Sequence, residues 1–101
     1  MLLNEQYISQ SEWTAVCSQT ARNTTIIDSQ TAGEDGNVTN IDYMKAFHSQ
    51  FSGIGVYYPN KRETQRIGII PDIEIKPTIL GIQQGKDELL DRAIKFIETG
   101  K

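Results

Sequence analysis

One cysteine, one histidine, one tryptophan and three prolines are all that this chain of 101 residues holds of the residue types that most sharply limit function. A lone Cys17 can close no internal disulfide, so the fold is expected to need no oxidising compartment. Cys17 and the single His48 lie 31 positions apart, which is no metal-ligand spacing, and no metal or cofactor is expected. Gly53-Ile54-Gly55-Val56 begins like a nucleotide fingerprint but lacks a third glycine and a following helix, and reads as a strand with small residues. No apolar run approaches the roughly 20 residues that span a bilayer, and no charged-then-apolar leader is present, so no membrane association is expected. Cationic surface is scarce as well. A net charge of -3 and a pI near 5.0 argue against nucleic acid as a partner, because phosphate binding needs clustered Lys and Arg. The densest basic patch, Lys61-Arg62 with Arg66, reads as an exposed turn. Asn23-Thr24-Thr25 and Asn37-Val38-Thr39 match the glycosylation sequon, a pattern short enough to arise by chance.

At this length the chain, residues 1–101, is one domain with a thin core. Met1-Leu2-Leu3 reads as the tail of a buried strand, which gives the whole the look of a cut-out fragment or a split half. From Ser9, the residues Trp13, Val16 and Cys17 fall at helical spacing, and the stripe runs on through Thr20 and Ala21. Thr24-Thr25-Ile26-Ile27 is a β-branched run of buried-strand composition. Strand, helix and strand in that order imply a parallel βαβ unit. Residues 28–40 are polar and carry Gly33 and Gly36, so a loop is expected directly after the second strand, where α/β sheets gather functional groups. Two extended segments are expected within 41–58, and a hairpin pairing about 54–58 with 66–70, ended by Pro71. Residues 77–84 read as a connector. The last helix is expected over 86–99, with Leu90, Ala93, Ile94 and Ile97 on one face and Gly100 as its stop.

The start of the first helix, Ser9-Gln10-Ser11-Glu12, has two readings. A Ser-x-x-Glu start is a capping box, in which serine and glutamate each satisfy a free N–H of the helix end. The same place suits a nucleophile, because a helix N-terminus offers unpaired N–H groups and a dipole that favours a developing oxyanion. His48 stands between Phe47 and Ser49 with no motif around it. A triad of His48 with Ser9 and Asp72 or Asp35 is conceivable in chain order, but a surface or strand-edge histidine is the simpler expectation.

Farther on, Thr64-Gln65-Arg66-Ile67-Gly68-Ile69-Ile70-Pro71-Asp72 carries a Gly-x-x-Pro-Asp phrase. Together with the Ser-x-x-Glu start, the segment Thr31-Ala32-Gly33-Glu34-Asp35-Gly36 and the C-terminal helix, it resembles the second half of the catalytic domain of the C-terminal processing peptidases, or tail-specific proteases. The resemblance implies an α/β domain of ClpP/crotonase-like type, represented by a βαβ unit, a hairpin region and a C-terminal helix. It implies serine-type peptide-bond hydrolysis on polypeptide substrates, with Ser9 as nucleophile, Ser11 as its competitor in the same register, and the N–H of Gln10 as one oxyanion donor. The second donor comes, in the family, from a glycine-rich segment upstream. Members with a Ser-Lys dyad place lysine where Glu34 stands here, and a carboxylate is a far weaker base than a desolvated neutral lysine. Tricorn-like members use a histidine from the earlier half of the domain with a supporting glutamate, which aligns near Gln65. Glu34 and Gln65 are therefore the supporting positions, both altered, and Asp72 is expected to be structural. Similar retinoid-binding domains keep the fold without proteolysis, so a binding scaffold is the rival reading, and a structural fragment that needs a partner half is a third. Association with another copy or with the absent half is expected. The compartment is open for this chain, family parents being frequently exported.

Overall fold

The computed structural model describes residues 1–101, with every side chain except that of Asp28. It is an α/β arrangement in the order α1 (Gln10–Gln19), β1 (Ile27–Asp28), β2 (Asn37–Tyr43), β3 (Phe47–Ile54), β4 (Ile73–Glu74), α2 (Ile79–Gln83) and α3 (Glu88–Thr99). Leu2 bridges Ile27 in parallel on one side, and β4 pairs with β1 in parallel, Ile27 opposite Ile73. Since α1 lies between Leu2 and β1 in sequence, this is the expected βαβ unit in a minimal form. Two ties hold its edges. The Asp72 carboxylate accepts the Ile26 N–H at 2.8 Å, and the Asp72 N–H returns to the Ile26 carbonyl at 2.9 Å. Asp72 is thus occupied in fastening the sheet, the structural role expected of the Pro-Asp phrase.

The core is small: Leu3, Ala15, Val16, Ile26, Tyr58 and Ile69, with Tyr7 packed against it. The face of α1 that enters it differs from the expected stripe. Glu12, Ala15 and Val16 are buried, whereas Trp13 and Cys17 are exposed. The inward stripe is rotated because the Glu12 carboxylate finds donors inside, which removes the usual penalty for burying it.

The hairpin is also not where the apolar pattern puts it. It pairs β2 with β3 in antiparallel register, Thr39 opposite Phe51 and Tyr43 opposite Phe47, so its first strand takes up residues 37–40 of the expected loop. Residues 66–70 are not a strand. Arg66 and Gly68 both take left-handed φ values, 67° and 76°, and the N–H groups of Ile67 and Gly68 turn back to the Thr64 carbonyl. In place of the expected pairing Tyr57 makes a single antiparallel bridge to Glu63, short of the 66–70 segment. The 77–84 connector contains the short helix α2, capped by the Thr78 hydroxyl, which accepts the Gly81 N–H at 2.9 Å. Helix α3 ends at Gly100 (φ 71°) as expected, but none of its residues is fully buried. Ala93, Phe96 and Ile97 face the start of the sheet across a cleft with Met1, Thr25 and Ile27.

The radius of gyration, 17.1 Å, exceeds the about 13 Å of a compact chain of this size, because the hairpin projects from the body.

Candidate active site

Ser9 is the N-cap of α1 and has φ 52° and ψ −120°. That is the mirror image of the first central residue of a type II turn, a region that residues with a Cβ rarely occupy and that costs on the order of 1–3 kcal/mol. The surroundings over-determine it. The Ser9 N–H is shared between the Glu34 carbonyl at 3.1 Å and Glu12 Oε2 at 3.2 Å. Ser9 and Glu12 have the reciprocal placement of a capping box. The Ser9 side chain faces the Glu12 N–H and the Glu12 carboxylate accepts the Ser9 N–H, both halves of the box, with no further side-chain cap hydrogen bond from Ser9. An oxygen that accepts in the box keeps its O–H proton free to donate.

Glu12 is fully buried. Its Oε1 accepts the Thr31 hydroxyl at 2.5 Å and the Gly33 N–H at 2.7 Å. Thr31 Oγ1 in turn accepts the Ile69 N–H at 2.8 Å, and the Gly33 carbonyl accepts the Arg66 N–H at 2.7 Å. Gly33 (φ 77°) and Gly68 (φ 76°) permit this clasp. A Cβ on Gly68 would stand 2.5 Å from the Thr31 carbonyl oxygen.

An open cleft of about 280 Å³ lies in front of Ser9, lined by Ser9, Gln10, Trp13, Asp35, Gly36, Asn37 and Val56. Of the expected site residues, Ser9 and Gln10 meet there, and the Gln10 N–H has no hydrogen-bond partner among the described residues. Glu34 touches the site through its backbone only, its side chain being exposed and not part of the lining. Gln65 is half-buried beside the cleft, its Nε2 3.6 Å from where a Cβ on Gly36 would stand. Ser11 does not line the cleft, and its hydroxyl donates to the Ile8 carbonyl at 2.7 Å. His48 is exposed on the hairpin and meets Asp42 at 2.7 Å, apart from the cleft lining.

Asp35 is the residue that sequence reasoning placed only in a triad with His48. It is buried, and its carboxylate accepts the Gly36 N–H at 2.8 Å and the Thr64 hydroxyl at 2.9 Å. Trp13, expected in the core, and Val56, expected only in an extended segment, also line the cleft, and nothing in an i, i+3, i+4 pattern separates Trp13 from a core position. Among the described residues no group of His, Cys, Asp or Glu side chains gathers as metal ligands do.

A family model of peptidase family S41 matches residues 1–75. No curated protein matches the chain. Two solved structures, one of mature CPAF and one of mature CPAF complexed with lactacystin, are similar to it with a TM-score of 0.79 and 25% sequence identity. In each case the likeness covers 95% of this chain and 19% of that chain, so this chain spans about a fifth of the length of the proteins it resembles.

Proposed function

Because this chain belongs to peptidase family S41, a family of serine peptidases, we propose that Ser9 is the acyl-forming nucleophile of a peptide-bond hydrolase of the C-terminal processing type. The observation that supports this most is the backbone of Ser9: a non-glycine residue held at φ 52° at the head of a helix, its side chain on an open cleft. A sharp turn into a helix lifts a serine Oγ clear of its neighbours, and strain of this kind persists where the fold is organised around it.

In the proposed reaction the Ser9 hydroxyl attacks a peptide carbonyl while a base takes its proton. The unpaired N–H of Gln10 donates to the developing oxyanion, and the positive end of α1 favours the same charge. The carboxylate that lines the cleft, Asp35, is already committed to Gly36 and Thr64, and the exposed Glu34 side chain is not part of the lining. The base and the second oxyanion donor are therefore proposed to come from outside these residues, from a partner half or a second copy. The isolated chain is expected to hydrolyse unfolded polypeptide slowly or not at all. A non-catalytic binding scaffold of the same fold is the alternative, favoured by Glu34 in the place of the family's lysine.

Treatment with a fluorophosphonate followed by peptide mass mapping tests the nucleophile. Because the base is absent, a slow adduct on Ser9, built up over a long incubation at high reagent concentration and absent from Ser9→Ala, is expected. No adduct, or one on Ser11, would overturn the assignment.

A further inference from the structure

We infer that Glu12 is a positioning residue for Ser9: a buried carboxylate that fixes the strained nucleophile and the 31–33 loop in one hydrogen-bonded unit. The inference rests on the reading of Ser9 as nucleophile and adds to it a residue outside the cleft lining. Its basis is the split use of the two oxygens. Oε2 faces the Ser9 N–H at 3.2 Å, and Oε1 takes both Thr31 and Gly33. A surface capping glutamate exchanges its bonds with water. Glu12 is fully buried and makes no ion pair among the described residues, so three neutral donors provide its solvation. Those donors can be kept aimed at one carboxylate only if Ser9, Thr31 and Gly33 hold their present geometry.

The chemical consequence concerns the direction of the Ser9 Oγ. The Ser9 N–H fixes the plane of the preceding peptide, and φ of 52° then sets where Cβ points. Without Glu12 Oε2, the Glu34 carbonyl is the sole remaining acceptor, and the residue is free to relax towards ordinary negative φ, carrying Oγ away from the Gln10 N–H. Misplacement of a reacting group by about 1 Å costs on the order of a hundredfold in rate.

Glu12→Gln is the selective probe. Its amide oxygen can still accept from Thr31 and Gly33, but its NH2 then faces the Ser9 N–H, donor against donor. Two readouts separate positioning from general stability in the 101-residue chain. The first is the three-bond HN–Hα coupling of Ser9 by NMR, which reports φ. The second is the rate at which fluorophosphonate adds to Ser9, forming an O–P bond with loss of fluoride. The expected result is a cooperative thermal transition retained in E12Q, a shifted Ser9 coupling, and labelling slowed about tenfold or more. A folded E12Q with wild-type coupling and wild-type labelling rate overturns the inference. Should E12Q fail to fold, Thr31→Val decides. It removes one Glu12 donor without touching Ser9, and a smaller but measurable slowing supports the inference, whereas labelling at the wild-type rate overturns it. A wild-type chain that takes no label counts against the nucleophile reading alone, because the Ser9 coupling still reports whether Glu12 holds its φ.

Discussion

Glu34 meets Ser9 through its carbonyl and not through its carboxylate: the Ser9 N–H donates to the Glu34 backbone oxygen at 3.1 Å while the Glu34 side chain is exposed. Glu34 therefore shapes the Ser9 turn by main-chain contact. Glu34→Ala and Glu34→Gln are expected to leave the rate of fluorophosphonate labelling at Ser9 within about twofold of wild type. Stability should move by no more than about 0.5 kcal/mol, as for exposed substitutions in general. A tenfold fall in labelling in either variant would place the carboxylate in the chemistry after all.

The clasp between the 31–33 and 66–69 segments predicts unequal costs for one substitution at glycines of similar φ. Gly68→Ala puts a methyl group 2.5 Å from the Thr31 carbonyl oxygen at a residue with φ 76°, whereas Gly85→Ala, at φ 66°, meets open space. Urea unfolding should show Gly68→Ala to be destabilising by more than about 2 kcal/mol and Gly85→Ala by about 1 kcal/mol, the backbone penalty alone. Equal losses would mean that the two segments are not clasped in solution.

Asp35 and Thr64 form a second buried pair. The Thr64 hydroxyl is fully buried and lies 2.9 Å from Asp35 Oδ2 and 3.0 Å from the Val56 carbonyl. Thr64→Val keeps the shape and removes the donor, leaving a buried carboxylate with the Gly36 N–H as its remaining partner. A loss of about 1–3 kcal/mol is expected in denaturant titration. Asp35→Asn should make the same Thr64 change less costly, because the uncompensated group is then neutral. Strict additivity of the two substitutions would show that the pair is not coupled.

Much of this arrangement was legible beforehand, and the exceptions have physical reasons. The Ser-x-x-Glu start and the β-branched run at 24–27 located α1 and β1 because caps and strand composition are local signals. The sequence offers Glu12 only as a cap partner, since periodicity assigns a carboxylate to the solvent face unless three donors are known to await it. The hairpin escapes the sequence pattern because its turn uses Met44 and Lys45 at φ 53° and 55°, without the Asn or Gly that usually marks such a turn. The Ile67–Ile70 run looked like a strand because Arg66, a non-glycine residue, takes the left-handed conformation that breaks it. Asp35 was hidden for another reason. What makes it a cleft residue is Thr64, 29 positions away, and no local pattern carries that distance.

Tyr58 gives the chain an alkaline limit. Burial raises its pKa above the ordinary value of 10.0, with Arg62, whose guanidinium lies 4.3 Å from the ring centre, opposing the shift. Its hydroxyl donates to Gln19 Oε1 at 2.7 Å. The unfolded chain loses this proton first as pH rises, so the folded state binds more protons and stability falls with pH. The contribution is whole below the unfolded value and is lost progressively as pH rises through 10 towards and past the folded value. Denaturant midpoints measured from pH 8 to 11 should fall less steeply in Tyr58→Phe than in wild type. Parallel curves would show that Tyr58 titrates alike in both states.

Association is the last expectation, and the hairpin is where it can be tested. Thr39, Ile41 and Tyr43 share a face with their cross-strand partners Phe51, Ser49 and Phe47, since residues opposite one another point to the same side. On that face Ile41 is 46% exposed, Tyr43 61%, Phe47 69% and Phe51 50%, and the projecting hairpin finds no cover in the rest of the chain. Apolar residues contiguous along a projecting element tend to be buried by a partner, and in a solution of this chain alone the available partner is another copy. Light scattering at micromolar concentration is expected to give a mass well above 11.4 kDa, falling towards it on tenfold dilution. The double substitution Phe47→Ser and Phe51→Ser should lower the association constant by at least about a hundredfold, given that burying one such ring contributes roughly 1.5–3 kcal/mol. A mass near 11.4 kDa at both concentrations, with no binding of a hydrophobic dye, would sink the idea. A wild-type dimer unmoved by the double substitution would shift the contact to the exposed face of α2, where Ile79 is 78% and Ile82 65% exposed.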